Sequence, residues 1–151
     1  MENLNRIYED YYDNGQMKIR KKFKGRKRLF ESWYENGQTM VREHYENDNL
    51  NGLYESWYEN GKRSIRCNYK DDKFDGLYES WYYDGQMAER SNWKDGKENG
   101  LSIKWYSNGQ TYEKCNYKDG KYDGLYECWD DDGKLMHSLV FNDNRICNNC
   151  M

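Results

Sequence analysis

Residues 52–75 read GLYESWYENGKRSIRCNYKDDKFD, and the chain then says nearly the same thing twice more, as GLYESWYYDGQMAERSNWKDGKEN (76–99) and GLSIKWYSNGQTYEKCNYKDGKYD (100–123). Aligned on the glycine of its Asn-Gly or Asp-Gly pair, the repeat extends to Gly15, Gly37, Gly61, Gly85, Gly109 and Gly133, spaced by 22 residues once and by 24 thereafter. Four residues before each glycine stands Tyr11, Trp33, Trp57, Trp81, Trp105 or Trp129, and eight after it Phe23, Tyr45, Tyr69, Trp93, Tyr117 or Phe141. Periodicity of this kind decides the architecture before any local signal does. The chain reads as one domain, 1–151, of six units at about 5–28, 29–52, 53–76, 77–100, 101–124 and 125–148.

Each unit has the pattern of a β-hairpin. Asn-Gly and Asp-Gly between runs of β-formers favour a two-residue type I′ turn, in which both central residues have positive φ. That turn places Glu9 opposite Arg20, Glu31 opposite Arg42, Glu55 opposite Arg66 and Glu79 opposite Arg90. Opposed charges contribute roughly 0.2–1 kcal/mol per pair, so the charged columns favour this register. A three-residue turn with a glycine bulge would shift the pairing by one and break those pairs, so the two-residue turn is expected. The second connection of each unit, YKDDKFDG or YKDGKYDG, leads into the next hairpin. With no proline and no helical apolar period, the chain is expected to be all-β, a continuous single-layer antiparallel meander of about a dozen short strands.

Composition agrees. Charged residues make up 34% of the chain, which alone suggests disorder, but the 17% aromatic content argues for a fold that buries Tyr and Trp. Alternation puts Leu53, Glu55, Trp57, Arg66 and Asn68 on one face and Tyr54, Ser56, Tyr58, Ile65, Cys67 and Tyr69 on the other. The Trp column and the column Leu29, Leu53, Leu77, Leu101, Leu125 recur in register and are expected to form the ladder that holds the sheet together, each unit leaning on its neighbours.

These columns resemble the MORN repeat, and more closely its bacterial and viral variant form. The resemblance rests on GLYESWYENGK with NYKDDKFDG, GLYESWYYDGQ with NWKDGKENG, and GLSIKWYSNGQ with NYKDGKYDG, and it covers residues of about 5–146. It implies an elongated antiparallel sheet used for protein–protein and sometimes membrane-associated interaction, without an active site. It further implies an antitoxin-like, immunity-like or scaffold role. Two departures stand out: the first unit is two residues short, and Arg28 replaces the glycine found as Gly52, Gly76, Gly100 and Gly124. The first connection should differ in shape.

Candidate chemistry is sparse. His44 and His137, the two histidines, lie about four units apart, on the order of 40 Å in such a sheet. The carboxylates recur in columns, as pairing or turn residues do, and no phosphate loop, nucleophile elbow or His-Glu metal motif occurs. No catalytic residue, cofactor, metal, small-molecule substrate or specific nucleic-acid partner is expected. Cys67 and Cys115 share a column too widely spaced for a disulfide. Cys147 and Cys150 in RICNNC supply two ligands where zinc wants four, which leaves an inert terminus, an intermolecular metal site or a redox-sensitive pair.

Two surfaces remain as candidates. Tyr34, Tyr58, Tyr82 and Tyr106, with Tyr12, lie near the hairpin tips, where a hydroxyl in water and a rigid ring would suit a partner-binding face; a second structural ladder is the alternative. From Asn14 to Phe30 there are eight cations and no acid, whereas from Glu31 onward the chain carries 15 basic and 23 acidic residues. Lys21, Lys22, Lys24, Arg26, Lys27 and Arg28 are therefore candidates for an anionic surface such as a membrane, or else a solvated turn that discourages edge pairing. The opening ENLNRIYEDYYDNG has neither a cationic start nor an apolar run, so no leader is expected. A cytoplasmic protein, or one of the host cytoplasm if viral, that binds another protein is the leading expectation, with a membrane-surface tether as the alternative.

Overall fold

The computed structural model describes residues 5–147. They form one open antiparallel sheet of fourteen strands: β1 (Arg6–Tyr11), β2 (Met17–Lys24), β3 (Lys27–Trp33), β4 (Thr39–Glu46), β5 (Asn49–Trp57), β6 (Arg63–Lys70), β7 (Lys73–Trp81), β8 (Met87–Lys94), β9 (Lys97–Glu98), β10 (Gly100–Trp105), β11 (Thr111–Lys118), β12 (Lys121–Trp129), β13 (Leu135–Asn142) and β14 (Arg145–Ile146). Spatial order follows chain order, with the short β9 pairing beside β10 on β8. The described residues contain no helix.

The Glu–Arg register is as the charges require: Glu9 faces Arg20, Glu31 faces Arg42, Glu55 faces Arg66 and Glu79 faces Arg90. The turn that produces it is not the type I′ turn expected. In the third unit the Tyr58 N–H donates to the Lys62 carbonyl and the Gly61 N–H to the Tyr58 carbonyl, both at 2.8 Å, and Gly61 alone has positive φ, at 80°. This is a three-residue loop closed by a glycine bulge. A second bulge then reverses the shift, because Trp57 pairs with Arg63 while Ser56 pairs with Ile65, leaving Ser64 as the extra residue. Two opposed one-residue offsets cancel, and the charged pairs survive.

Type I′ geometry is found at the other end of the sheet. Asn47-Asp48, Asp71-Asp72, Asp95-Gly96, Asp119-Gly120 and Asp143-Asn144 all have positive φ at both positions. Asp and Asn tolerate this left-handed region better than other side chains. The first connection does differ: in Gly25-Arg26 only the glycine has positive φ, and β2 pairs with β3 without a break in register. The next four pairings at this end each shift by two residues, as between Cys67↔Tyr78 and Tyr69↔Phe74. The extra residues form a bulge around Gly52, Gly76, Gly100 and Gly124, at φ of 107–113°. The first unit has arginine there and lacks the bulge, which accounts for its missing two residues.

Packing is tightest on the tyrosine face, a correction to the expectation that the Trp and Leu columns form the main ladder. Cys67, Ser91, Ser102 and Cys115 are at most 1% exposed. Cys67 lies across from Tyr54 on one side and Tyr78 on the other, so small residues are roofed by neighbouring rings. Ring contacts link Tyr54 to Tyr69, Tyr69 to Phe74, and Phe74 to Tyr78 and Trp93, with centroids 4.7–5.9 Å apart. The tryptophans opposite are half-buried beneath guanidinium groups, Arg20 over Trp33, Arg42 over Trp57 and Arg63 over Trp81, at 5.5–5.8 Å. Leu101 and Leu125 are exposed.

Two outcomes follow. Gly76→Ala should destabilise by about 1–3 kcal/mol, since an L side chain rarely adopts φ near 109°, and thermal denaturation should show a drop of several degrees. Burial pushes the Cys67 thiol to about 12, and the phenols of Tyr45 and Tyr69 to about 12 as well. Their contribution is fully present while the unfolded chain also holds these protons, below about pH 9–10. It is lost as pH rises towards 12, because unfolding then releases protons. Urea midpoints measured at pH 7, 9 and 10.5 should fall at the last.

Candidate interaction surfaces

The tip tyrosines do not keep their hydroxyls in water. Each donates to the tryptophan carbonyl of the next unit: Tyr12 to Trp33 at 2.8 Å, Tyr34 to Trp57 at 2.8 Å, Tyr58 to Trp81 at 2.7 Å, Tyr82 to Trp105 at 2.6 Å and Tyr106 to Trp129 at 3.0 Å. The turn asparagines do likewise. Asn60 Oδ1 accepts from the Lys62 N–H within its own turn, while its Nδ2 donates to the Tyr83 carbonyl at 2.9 Å. The tyrosine column is a ladder between units, which corrects the picture of wet hydroxyls offered to a partner.

Strand alternation divides the basic segment. Lys21 and Arg28 lie on the tyrosine face, with Lys21 over the rings of Tyr8 and Phe30 and Arg28 4.1 Å from the Tyr45 ring. Lys22 is on the tryptophan face, 3.4 Å from Glu31. Lys24 and Lys27 pair across the connection on that face, and with Arg26 at the turn they are exposed and form no ion pair among the described residues. Half of the predicted set thus remains available to an anionic surface.

The tryptophan face also carries a ladder of alternating charge that the sequence predicted only within hairpins. Arg42 lies 3.1 Å from Glu31 and 3.8 Å from Glu55, and Arg66 lies 3.9 Å from Glu55 and 3.7 Å from Glu79, so each arginine bridges two units. Glu31 and Glu55 are nearly buried here, where losing a cationic partner costs more than at the surface. Beside this ladder runs the leucine column. At its N-terminal end Ile7, Leu29, His44 and Leu53, with the stems of Lys22 and Lys24, line a groove of about 670 Å³. Ile7 is 65% exposed, and the column continues to Leu101 and Leu125.

His44 uses Nδ1 on the Leu53 carbonyl at 2.7 Å, on β4, while His137 is on β13. The structure does not bring them together. Cys67 and Cys115 are buried thiols in separate units. Cys147 follows β14, and Cys150, its partner in the Cys-x-x-Cys pair, lies outside the described residues. One grouping escaped the sequence reading. On the tyrosine face of the fourth and fifth units, Lys104 stands between Glu89 and Glu113 across adjacent strands, with its Nζ 2.9 Å from Glu113. The columns hold isoleucine, valine or serine in earlier units, so comparing units column by column would have found it.

A family model described as the MORN repeat variant matches residues 29–47, 50–71, 74–95 and 98–119, more than half of the chain. No curated protein matches it. A solved structure, described as the crystal structure of TarM, aligns with 65% of this chain at 10% identity and a TM-score of 0.41, and this chain spans only 20% of that one.

Tyr58→Phe keeps the ring and removes the reach to Trp81. It should cost about 1 kcal/mol and lower the melting temperature by roughly 2–4 °C for a domain of this size, as scanning calorimetry would register.

Proposed function

The chain belongs to the MORN repeat variant family, and from that premise we propose that it is a non-enzymatic cytoplasmic protein that binds another protein, in an antitoxin-like, immunity-like or scaffold role. One observation carries this reading: the leucine column crosses the sheet on the tryptophan face without a layer over it, and it ends in the groove floored by Ile7, Leu29 and Leu53. The tyrosines, tryptophans and most ladder charges are occupied in holding one unit to the next. Leu101, Leu125 and Ile7 are exposed apolar side chains and Leu29, Leu53 and Leu77 half-buried ones that the sheet's own stability leaves over, and exposed apolar surface is what partner proteins cover.

A second reading, a membrane-surface tether, is supported by Lys24, Arg26 and Lys27, exposed together at the first connection. Three cations near an anionic bilayer contribute about 1 kcal/mol each, a marginal anchor on their own. The groove beside them favours a discrete protein partner over a flat bilayer.

Ile7→Glu places a charge in the groove at an exposed position. It should shift the melting temperature by no more than about 2 °C, as surface substitutions do, and abolish capture of the partner from the native host. Unchanged capture would refute docking at the groove. Expressing the captured protein alone then separates the roles, since toxicity relieved by this chain means an antitoxin and harmlessness means a scaffold. Loss of anionic-vesicle sedimentation in Lys24→Glu/Arg26→Glu/Lys27→Glu, with capture intact, would favour the tether.

A further inference from the structure

In a solenoid every unit shows what its neighbours need, so a departure from the columns can be weighed against a known alternative. Four residues after the turn glycine stand Ile19, Val41 and Ile65, and then Glu89 and Glu113. Seven residues before it, Phe30, Tyr54, Tyr78 and Tyr126 are interrupted by Ser102, and five before it Ser32, Ser56 and Ser80 give way to Lys104. Eleven before it, Leu50, Phe74 and Tyr122 give way to Glu98. All five departures fall on the tyrosine face, on the adjacent strands β8 to β11.

The substitutions remove a ring and insert charge. Apart from the tip pairs Tyr58–Tyr83 and Tyr106–Tyr112, aromatic contacts among the described residues form one group from Tyr54 to Trp93 and another from Tyr117 to Phe141, and no ring contact among them bridges the two. Glu98 stands where Phe74 and Tyr122 join the rings of neighbouring units, and Ser102 where Tyr54, Tyr78 and Tyr126 flank that junction. In the gap, three carboxylates, Glu89, Glu98 and Glu113, stand near one lysine, Lys104. Lys104 Nζ pairs with Glu113, whose other oxygen accepts from Tyr126 OH at 3.2 Å. Glu89 accepts from Ser91 Oγ at 2.9 Å, and that oxygen in turn accepts from Trp93 Nε1. Among the described residues, Glu89 and Glu98 have no cation within ion-pair distance. Independently of the acids, the Ser102 hydroxyl on the same face is buried without a hydrogen-bond partner. Burial pushes the Glu98 carboxyl upward, against the pull of Lys104.

None of this is needed to build the sheet, because units two and three make it with Val41, Ile65, Tyr54 and Ser56. A partly satisfied polar cluster is worth less than the apolar packing it replaces, and breaches of local consistency concentrate where a protein does something. Excess carboxylate flanked by rings suits a guanidinium, which is planar, donates five hydrogen bonds and stacks on aromatic faces. We propose that this patch docks an arginine-bearing segment of a partner protein, its guanidinium lying over Glu89 and Glu98 between Trp93 and Tyr117. The proposal rests on the reading that the chain binds protein, but it concerns the face opposite the leucine groove. Anionic lipid headgroups and nucleic acid are repelled here.

The test is titration of a labelled hexa-arginine peptide by fluorescence anisotropy at physiological salt. One variant restores the residues of the other units, Glu89→Ile, Glu98→Phe, Ser102→Tyr, Lys104→Ser and Glu113→Ile. A second, Glu35→Gln/Glu59→Gln, makes the same change in net charge at the hairpin tips. A third, Glu89→Gln/Glu98→Gln, keeps the shapes. The restored and Gln variants should bind at least tenfold more weakly, the tip variant within twofold of the parent, and the restored variant should melt no lower than the parent. Unchanged binding in the Gln variant, or equal loss in the tip variant, would overturn the proposal. A sharply lower melting temperature in the restored variant would mean that the cluster holds the sheet together, and would also overturn it. The peptide titration involves no native partner, so its failure would leave the leucine-groove reading to stand or fall on Ile7→Glu.

Discussion

A sheet with no second layer has to be held together along its own surface, and here the decisive tie is the hydroxyl of a tip tyrosine reaching the tryptophan carbonyl of the next unit. It recurs five times, across 21 residues in the first unit and 23 thereafter. The asparagine of the turn adds a parallel tie from Asn14, Asn36, Asn60 and Asn108 to the neighbouring tip. Neither contact can form inside one unit. Each hairpin alone is therefore incomplete, and the array is stabilised by its interfaces. The arginines of the charge ladder act in the same sense, since Arg42 and Arg66 each touch a glutamate in their own hairpin and one in the next.

The repeat length, the meander and the Glu–Arg register were all legible in the sequence because each is written six times or nearly so. The turn type was not. Asn-Gly suits a type I′ turn, but the structure uses Asn60 for its two side-chain hydrogen bonds and leaves positive φ to Gly61. The bulge at Trp57 then restores the register that the longer loop had shifted. Two errors of opposite sign leave the charged pairs where a simpler turn would put them, so those pairs could not reveal the turn. Alternation also told which residues share a face but not which face packs more tightly. Cys67 and Cys115 signal the roofed side, yet a small residue in a strand reads equally well as filler.

The candidate surfaces show the converse limits. The run from Lys21 to Arg28 is compact in sequence, and the pleat sends Lys21 and Arg28 to one face and Lys22, Lys24 and Lys27 to the other. A linear cluster on a strand is seldom a spatial one. Glu89, Glu98, Lys104 and Glu113 are scattered in sequence, and a repeat of 24 residues folded into paired strands collects them.

Position within the array gives departures from the repeat different meanings. In the last unit Asp130 replaces the tip tyrosine and Asp132 the turn asparagine, so neither can donate to a following unit, and Asp130 Oδ1 instead accepts from the Lys134 N–H of its own turn at 2.8 Å. That change costs no interface, because no seventh hairpin follows in the described residues, and it places acid at the position where a further hairpin would be tied on. A change in the fifth unit disturbs the interfaces with the fourth and with the sixth. Ser102 lies across from Cys115 on β11, and together with Glu98, which takes the place of Phe74 and Tyr122, it interrupts the aromatic ladder that those rings carry between neighbouring units. The terminal acids are explained by the end of the stack. The interior acids keep contacts within the sheet, Glu113 with Lys104 and Tyr126 and Glu89 with Ser91, yet three carboxylates face a single lysine there, an excess that the end of the stack does not explain and that the proposed arginine contact would use.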